Sequence, residues 1–149
     1  MPKNFDPAVQ RLRDARASAP SGESALAPQI RSIEEQLAAI GRGDFASAVA
    51  QAIDDVSFEI LAPPEFPFIR QARGHEEFLR AIDTNFGALE NQQPEIANIV
   101  AQGDTVVLFG RERGTIRETG AAYAIEFVHR FTFRDGRLAS LRIIAAKSV

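Results

Sequence analysis

The chain has 149 residues, of which 45% are hydrophobic and 25% charged, and its formal net charge at pH 7 is −3. This length and composition fit one globular domain, and the mild acidity argues against a nucleic-acid-binding surface, which needs a basic face. The absence of cysteine excludes disulfides, thiol nucleophiles and cysteine-ligated metals. The N-terminus has no apolar segment of the signal-peptide type, and no apolar run reaches the ~18 residues of a membrane span, so we expect a cytoplasmic protein.

Residues 1–27 are predicted to form an N-terminal extension. A short amphipathic helix, Pro7–Ala17, precedes a linker-like segment rich in Ser, Ala, Pro and Gly. The helix packs either on the body of the protein or on a partner. Residues 28–149 are predicted to form the domain proper.

The domain begins with two predicted helices. The first starts at Pro28 and ends at Gly41 and Gly43. Asp44 then caps the second, Phe45–Ala52. The first helix has an apolar side made by Ile30, Ile33, Leu37 and Ile40.

A strand, a loop and a third helix follow. Asp54 and Asp55 are predicted to form a turn before the strand Val56–Leu61, in which Phe58 and Ile60 share a face. The next segment contains three prolines and is predicted to be an irregular loop, because proline cannot donate to a sheet. The third helix is predicted over His75–Leu89, with an apolar stripe facing the core.

Four strands complete the chain: Glu95–Ala101 and then a meander of Thr105–Ile116, Ala122–Phe133 and Arg137–Ala146. This order of elements predicts an α+β protein with helices on one face of a curved antiparallel sheet. The middle strand of the meander alternates strictly. One of its faces carries Ile125, Phe127, His129, Phe131 and Phe133.

This order of elements and four short motifs resemble the SnoaL-like branch of the NTF2-like superfamily. The motifs are Gly43–Asp44, Asp54–Asp55–Val56, Phe127–Val128–His129 and Arg134–Asp135–Gly136. The resemblance covers about Ile30 to Ala146. It implies an NTF2-like cone, in which a strongly bent antiparallel sheet wraps around three helices and encloses a pocket, and a homodimer formed through the outer sheet face. Relatives include ketosteroid isomerase-like and polyketide cyclase-like enzymes and many non-catalytic proteins.

The catalytic groups of ketosteroid isomerase are not retained. In the family pattern its general base falls on Ile60, its helix tyrosine on Gln36 and its protonated aspartate on His129. A carboxylate that many SnoaL-like chains carry at the end of the last strand is replaced by Ala146. Isoleucine cannot abstract a proton, so isomerisation by that mechanism is not expected.

His129 is the candidate catalytic residue, as a general acid or base or as a hydrogen-bond partner of a ligand carbonyl. The alternative is a core histidine that bonds to backbone or buried water. Whether the Glu112 side chain faces the pocket depends on the strand register. A hairpin centred near Glu118 and Thr119 turns Glu112 inward, whereas a slip of one residue turns Arg111 and Arg113 inward.

The remaining candidates are expected to line the pocket, or simply to pack in the core. Gln36 either orients a polar ligand group or lies exposed, and Tyr123 is placed near the pocket mouth. His75 is expected at the surface, and two distant histidines predict no metal site or cofactor. The predicted pocket wall consists of Phe58, Ile60, Phe86, Leu108, Phe127, Phe131, Leu141 and Ile143.

Two functions of different classes follow. The first is binding of a small, mostly apolar or carbonyl-containing molecule, with isomerase- or cyclase-type proton transfer by His129 as its enzymatic version. The second is a non-catalytic homodimeric interaction module with a filled interior. An enclosed cavity lined by His129 distinguishes the first from the second.

Overall fold

A computed structural model describes residues 3–17 and 27–148, so most of the predicted linker lies outside the described residues. The described part contains four helices and six strands. The helices are α1 (Asp6–Ala17), α2 (Ala27–Gly41), α3 (Phe45–Ala50) and α4 (Gly74–Gly87). The strands are β1 (Ala52–Leu61), β2 (Gln71–Arg73), β3 (Leu89–Gln102), β4 (Thr105–Ile116), β5 (Ala122–Arg134) and β6 (Arg137–Lys147).

The six strands form one open sheet in the order β2-β1-β6-β5-β4-β3. The α+β architecture is confirmed, but the expectation of a purely antiparallel sheet is wrong at one pair, because β1 and β6 run parallel. Strand β6 lies between β5, to which it is antiparallel, and β1, to which it is parallel. The degree of bending of the sheet stays a prediction.

The meander agrees closely with its predicted bounds, and the structure selects one of the two registers left open by the sequence. Leu108 pairs with His129 and Glu112 pairs with Ile125, as expected for the hairpin that turns Glu112 inward. The alternation of side chains along β5 therefore puts its aromatic and aliphatic face toward the helices.

The strands differ from the prediction in three main places. β1 begins at Ala52, so Asp54 and Asp55 lie in a strand and not in a turn; Asp55 is held there by an ion pair with Arg134 at 3.0 Å. β3 begins at Leu89, which had been assigned to the helix, and it contains two register shifts. The three-residue strand β2 was missed, because a segment that short carries no periodic signal.

The main core lies between the sheet and the helices. Its fully buried members come from both layers and include Val56, Phe78, Val106 and Leu138. Helix α1 belongs to this unit, since Leu12 is 0% exposed and the helix packs against α2. Of the two alternatives for the N-terminal helix, the structure therefore shows packing on the body of the protein. None of the described helices is both long and apolar enough to cross a membrane.

Candidate functional site

A cavity of about 170 Å³ lies between the helices and the inner face of the sheet. Its wall is mainly aromatic and aliphatic, with a few polar side chains that converge on it. All of the predicted pocket residues except Tyr123 line it, namely Gln36, Phe58, Ile60, Phe86, Leu108, Glu112, Phe127, His129, Phe131, Leu141 and Ile143.

His129 lies in the middle of the sheet wall. The strand register places it in one row with Ile60 of β1, Ile143 of β6 and Leu108 of β4. Its ring centroid is 4.5 Å from that of Phe127 and 6.2 Å from that of Phe131. The imidazole is thus surrounded by apolar groups, and no described residue hydrogen-bonds to it.

Burial controls the protonation of His129. Desolvation lowers the pKa of the imidazole from 6.5 to about 4, because an apolar environment disfavours the charged form. The ring is therefore neutral near pH 7 and offers one nitrogen as a donor and the other as an acceptor. Such a group can bond to a ligand carbonyl or hydroxyl, but it is a weak base.

Glu112 lies at a second polar point of the cavity, toward the β4–β5 hairpin. The four-residue separation of the Leu108–His129 and Glu112–Ile125 pairs corresponds to about 13 Å along the strands. Glu112 Oε2 accepts from the Tyr123 hydroxyl at 2.6 Å and from Gln92 Nε2 at 3.3 Å. The carboxylate is therefore bonded to Tyr123 and Gln92, and not to the imidazole of His129, which lies about 13 Å away along the strands.

Gly114 explains how Tyr123 reaches Glu112. Gly114 pairs with Tyr123 across the hairpin, and a Cβ at this glycine would lie 2.6 Å from the tyrosine hydroxyl. The missing side chain lets the phenol lie over the β4 backbone. Tyr123 therefore donates its hydrogen bond to the Glu112 carboxylate but does not itself line the cavity.

Gln36 is buried on α2, which decides between the two predicted placements of this residue. Its Nε2 donates to Ser32 Oγ at 3.2 Å, and Ser32 in turn donates to Gln51 Oε1 at 3.3 Å. Gln36 lines the cavity from the helical side, and its amide is held by a short hydrogen-bond chain.

Several lining residues were missed by sequence reasoning. Asn85 of α4 bonds to both backbone groups of Ile69, at 2.8 and 3.0 Å, and so holds the proline-rich loop against the cavity. Gln92 of β3 is buried, and its Oε1 has no hydrogen-bond partner in the described part of the chain. The sequence could have indicated Asn85 as a lining residue, because it is a polar residue within the apolar stripe of a helix. It gave no such signal for Gln92, which lies between the predicted third helix and the predicted strand Glu95–Ala101.

The N-terminal extension also contributes to the wall. Phe5 and Ala8 line the cavity, and the Phe5 ring lies 5.8 Å from that of Phe86 on α4. Lys3 Nζ donates to the Leu89 carbonyl at 3.0 Å. Burial lowers the pKa of this ammonium, whereas the nearby charge of Glu112 raises it.

His75 is half-buried at the start of α4, away from the cavity, and Nε2 lies 2.9 Å from the Ala52 carbonyl. Within residues 3–17 and 27–148, no three His, Asp or Glu side chains come together as metal ligands would. A larger depression of about 600 Å³, which Arg31, Glu35 and Arg137 help to line, is an open surface feature. The cavity lined by His129 is the better site because it is the more enclosed of the two and its wall is mainly apolar.

Solved structures define the class of protein. An NTF2-like protein from Burkholderia xenovorans LB400 is 24% identical, and the match covers 80% of this chain and 89% of that one, with a TM-score of 0.70. TerC, co-crystallised with polyporic acid, is 22% identical over 81% and 92% of the two chains, with a TM-score of 0.63. A protein from Rhodopseudomonas palustris with a provisional isomerase name is 17% identical over 80% and 90%, with a TM-score of 0.64. The fold is therefore NTF2-like.

The family follows from the sequence. Residues 33–141 match the SnoaL-like domain family, and this range contains most of the residues that line the cavity. The chain belongs to the SnoaL-like domain family, as its resemblance implied. No curated protein matches it significantly.

Proposed function

We propose that this protein binds a small, mostly apolar molecule in the cavity between its helices and its sheet. The observation that carries the proposal is the cavity of about 170 Å³ itself, lined by His129. Protein interiors are close-packed and contain few voids larger than a water molecule, so a cavity of this size does not fit the alternative of an interaction module with a filled core. TerC supports the proposal as a protein of the same fold that was crystallised with a small molecule.

Within this proposal, His129 and Gln36 give the ligand its orientation. Both are hydrogen-bonding groups on opposite walls of the cavity, one on β5 and one on α2. A neutral imidazole bonds to a carbonyl without the cost of burying a charge. A ligand with one carbonyl on an apolar skeleton matches these walls.

Proton transfer by His129 is the second candidate, and the isomerase name of the Rhodopseudomonas palustris protein favours it. The pKa of about 4 makes His129 a poor general base near neutral pH, where a group with a pKa closer to the working pH transfers protons better. Binding is therefore preferred to catalysis.

A homodimer through the outer sheet face is the proposed assembly. One row of paired residues crosses this face: Leu61 of β1, Ile144 of β6, Val128 of β5 and Phe109 of β4. Leu61, Ile144 and Phe109 are each exposed by 41–45%. We call these four residues the outer apolar row; its burial against a second copy would remove apolar surface from water.

A pair of leucine-to-phenylalanine variants tests the binding proposal. Leu141 lines the cavity and Leu61 lies on the outer face, so Leu141→Phe fills the cavity whereas Leu61→Phe makes the same chemical change outside it. We expect native mass spectrometry of purified protein to show a retained small molecule in the parent and in Leu61→Phe, and at least a tenfold lower occupancy in Leu141→Phe. Equal retention by the two variants would contradict cavity binding.

A further inference from the structure

The hairpin end of the cavity holds an acceptor that the proposed role of His129 does not use. Glu112 lines the cavity, and its Oε2 already accepts from Tyr123 and Gln92. No described residue donates a hydrogen bond to Glu112 Oε1. This oxygen is therefore free to accept a hydrogen bond from a donor that a ligand brings into the cavity.

The groups around this acceptor are aromatic. The Phe66 ring lies 5.1 Å from the Phe68 ring and 5.2 Å, edge to face, from the Tyr123 ring. Phe66 and Phe68 both line the cavity. A flat ring fits such a surface, because aromatic pairs favour offset-stacked or edge-to-face contacts.

The charge near Glu112 argues for a neutral donor. The Lys3 ammonium acts electrostatically on Glu112 but donates its hydrogen bond to the Leu89 carbonyl. A cationic amine at the carboxylate would meet the repulsion of this ammonium. A hydroxyl group supplies the same hydrogen bond without that repulsion.

We propose that this end of the cavity binds the hydroxyl of a small aromatic alcohol, a phenol in the simplest case, through a hydrogen bond from the ligand O–H to Glu112 Oε1. The ring then lies beside Phe66 and Phe68, and Tyr123 acts as a positioning residue that holds the other carboxylate oxygen. This inference rests on the proposed binding function and names the class of ligand for it.

The protonation of Glu112 gives the interaction a pH dependence. Burial raises the pKa of this carboxyl, and the hydrogen bonds from Tyr123 and Gln92 and the charge of Lys3 lower it again. The other charges next to Lys3 are Arg117 and Glu90. Because the carboxylate form is present only above the folded-state pKa, acceptance from a hydroxyl weakens as the pH falls through that pKa.

The test uses three probes of similar size: p-cresol, which has a hydroxyl donor; 4-methylanisole, whose ether oxygen cannot donate; and toluene. Dissociation constants are measured by calorimetry for the full chain and for Glu112→Leu, with thermal unfolding as a check of folding. We expect the parent to prefer p-cresol over 4-methylanisole by about tenfold at about pH 8, since hydrogen bonds to charged groups are the stronger ones. Glu112→Leu should bind the two probes with similar affinity.

Each other result has a definite meaning. Toluene binding without a preference for p-cresol would leave the proposed function standing and overturn this inference. Failure of all three probes to bind would count against both. Loss of the preference in His129→Leu but not in Glu112→Leu would place the hydroxyl at His129 and overturn the proposal.

Glu112→Gln keeps the test decisive if the leucine variant fails to fold. The amide has almost the same shape and keeps an acceptor oxygen, but it does not titrate. We expect the preference for p-cresol to decrease in the parent as the pH is lowered from about 8, and to stay constant in Glu112→Gln. A pH-independent preference in the parent would overturn the assignment to the Glu112 carboxylate.

Discussion

Burial in one cavity shifts the pKa values of His129 and Glu112 in opposite directions. Burial disfavours the charged form of each group, which lowers the pKa of the imidazole and raises the pKa of the carboxyl. Near pH 7 the histidine is a neutral hydrogen-bonding group. The hydrogen bonds from Tyr123 and Gln92 and the charge of Lys3 oppose the effect of burial on the pKa of the Glu112 carboxyl.

The lowered pKa of His129 predicts a change of stability with pH. Between about pH 6.5 and about pH 4 the unfolded chain binds a proton at this residue and the folded protein does not, so the folded state loses stability as the pH falls. The shift corresponds to roughly 3 kcal/mol across this window. Denaturant unfolding of the parent and of His129→Leu at several pH values measures it as the difference between the two proteins, and Glu112, present in both, cancels.

His75→Gln is the matched control for this prediction. His75 lies outside the cavity, so His75→Gln removes a histidine without changing the cavity wall. An equal loss of pH dependence in both histidine variants would show that burial in the cavity is not the cause.

At the scale of the elements, helix α1 is part of the folded domain although it precedes the residues that match the family. Leu12 anchors it in the core, and Glu34 of α2 accepts from Arg13 at 2.8 Å and from Arg16 at 3.2 Å. Phe5, just before the helix, closes one side of the cavity. Helix α1 and the residue Phe5 thus add a part of the cavity wall that lies outside the range matched to the family.

Leucine and arginine substitutions separate packing from surface charge in α1. Leu12→Ala should destabilise the protein by about 3 kcal/mol, because the side chain is fully buried and a cavity replaces it. Arg13→Ala should cost less than about 1 kcal/mol, since the Arg13 side chain is 53% exposed and its ion pair is screened by water. Urea unfolding measures both; similar small losses would mean that α1 is an independent appendage.

Cross-strand pairs of glycine and an aromatic residue shape the site in β4 and β5. A Cβ at Gly110 would lie 2.6 Å from the Phe127 ring, and Gly114 accommodates Tyr123 in the same way. The two glycines let large rings cross the strand. Phe127 then reaches the cavity wall and Tyr123 reaches Glu112.

At the scale of the whole molecule, the two faces of the sheet have different proposed uses. The inner face encloses the cavity, and the outer apolar row crosses the other face in register from β1 to β4. A dimer through the outer face would bury this row while it leaves the cavity of each protomer to its own helices.

A charge in the outer apolar row should dissociate the proposed dimer. Phe109→Glu introduces a carboxylate where an apolar contact is proposed, and the cost of burying it favours the monomer. Sedimentation velocity measures the mass of the parent and of the variant. Thr84→Glu adds the same charge on the exposed side of α4 and should leave the mass unchanged; a parent that is monomeric at high concentration would contradict the proposal.

The sequence by itself determined the meander and the inward face of β5, because a period of two along a half-buried strand is a local signal. It also determined the family and most of the sheet wall. The tertiary structure decided which of the two possible registers the β4–β5 hairpin takes. The parallel pairing of β1 with β6, the contribution of Phe5 and the contact of Gln92 with Glu112 were decided only by the tertiary structure. Each joins residues far apart in the chain, and the pKa of His129 depends on the burial that those distant elements create together.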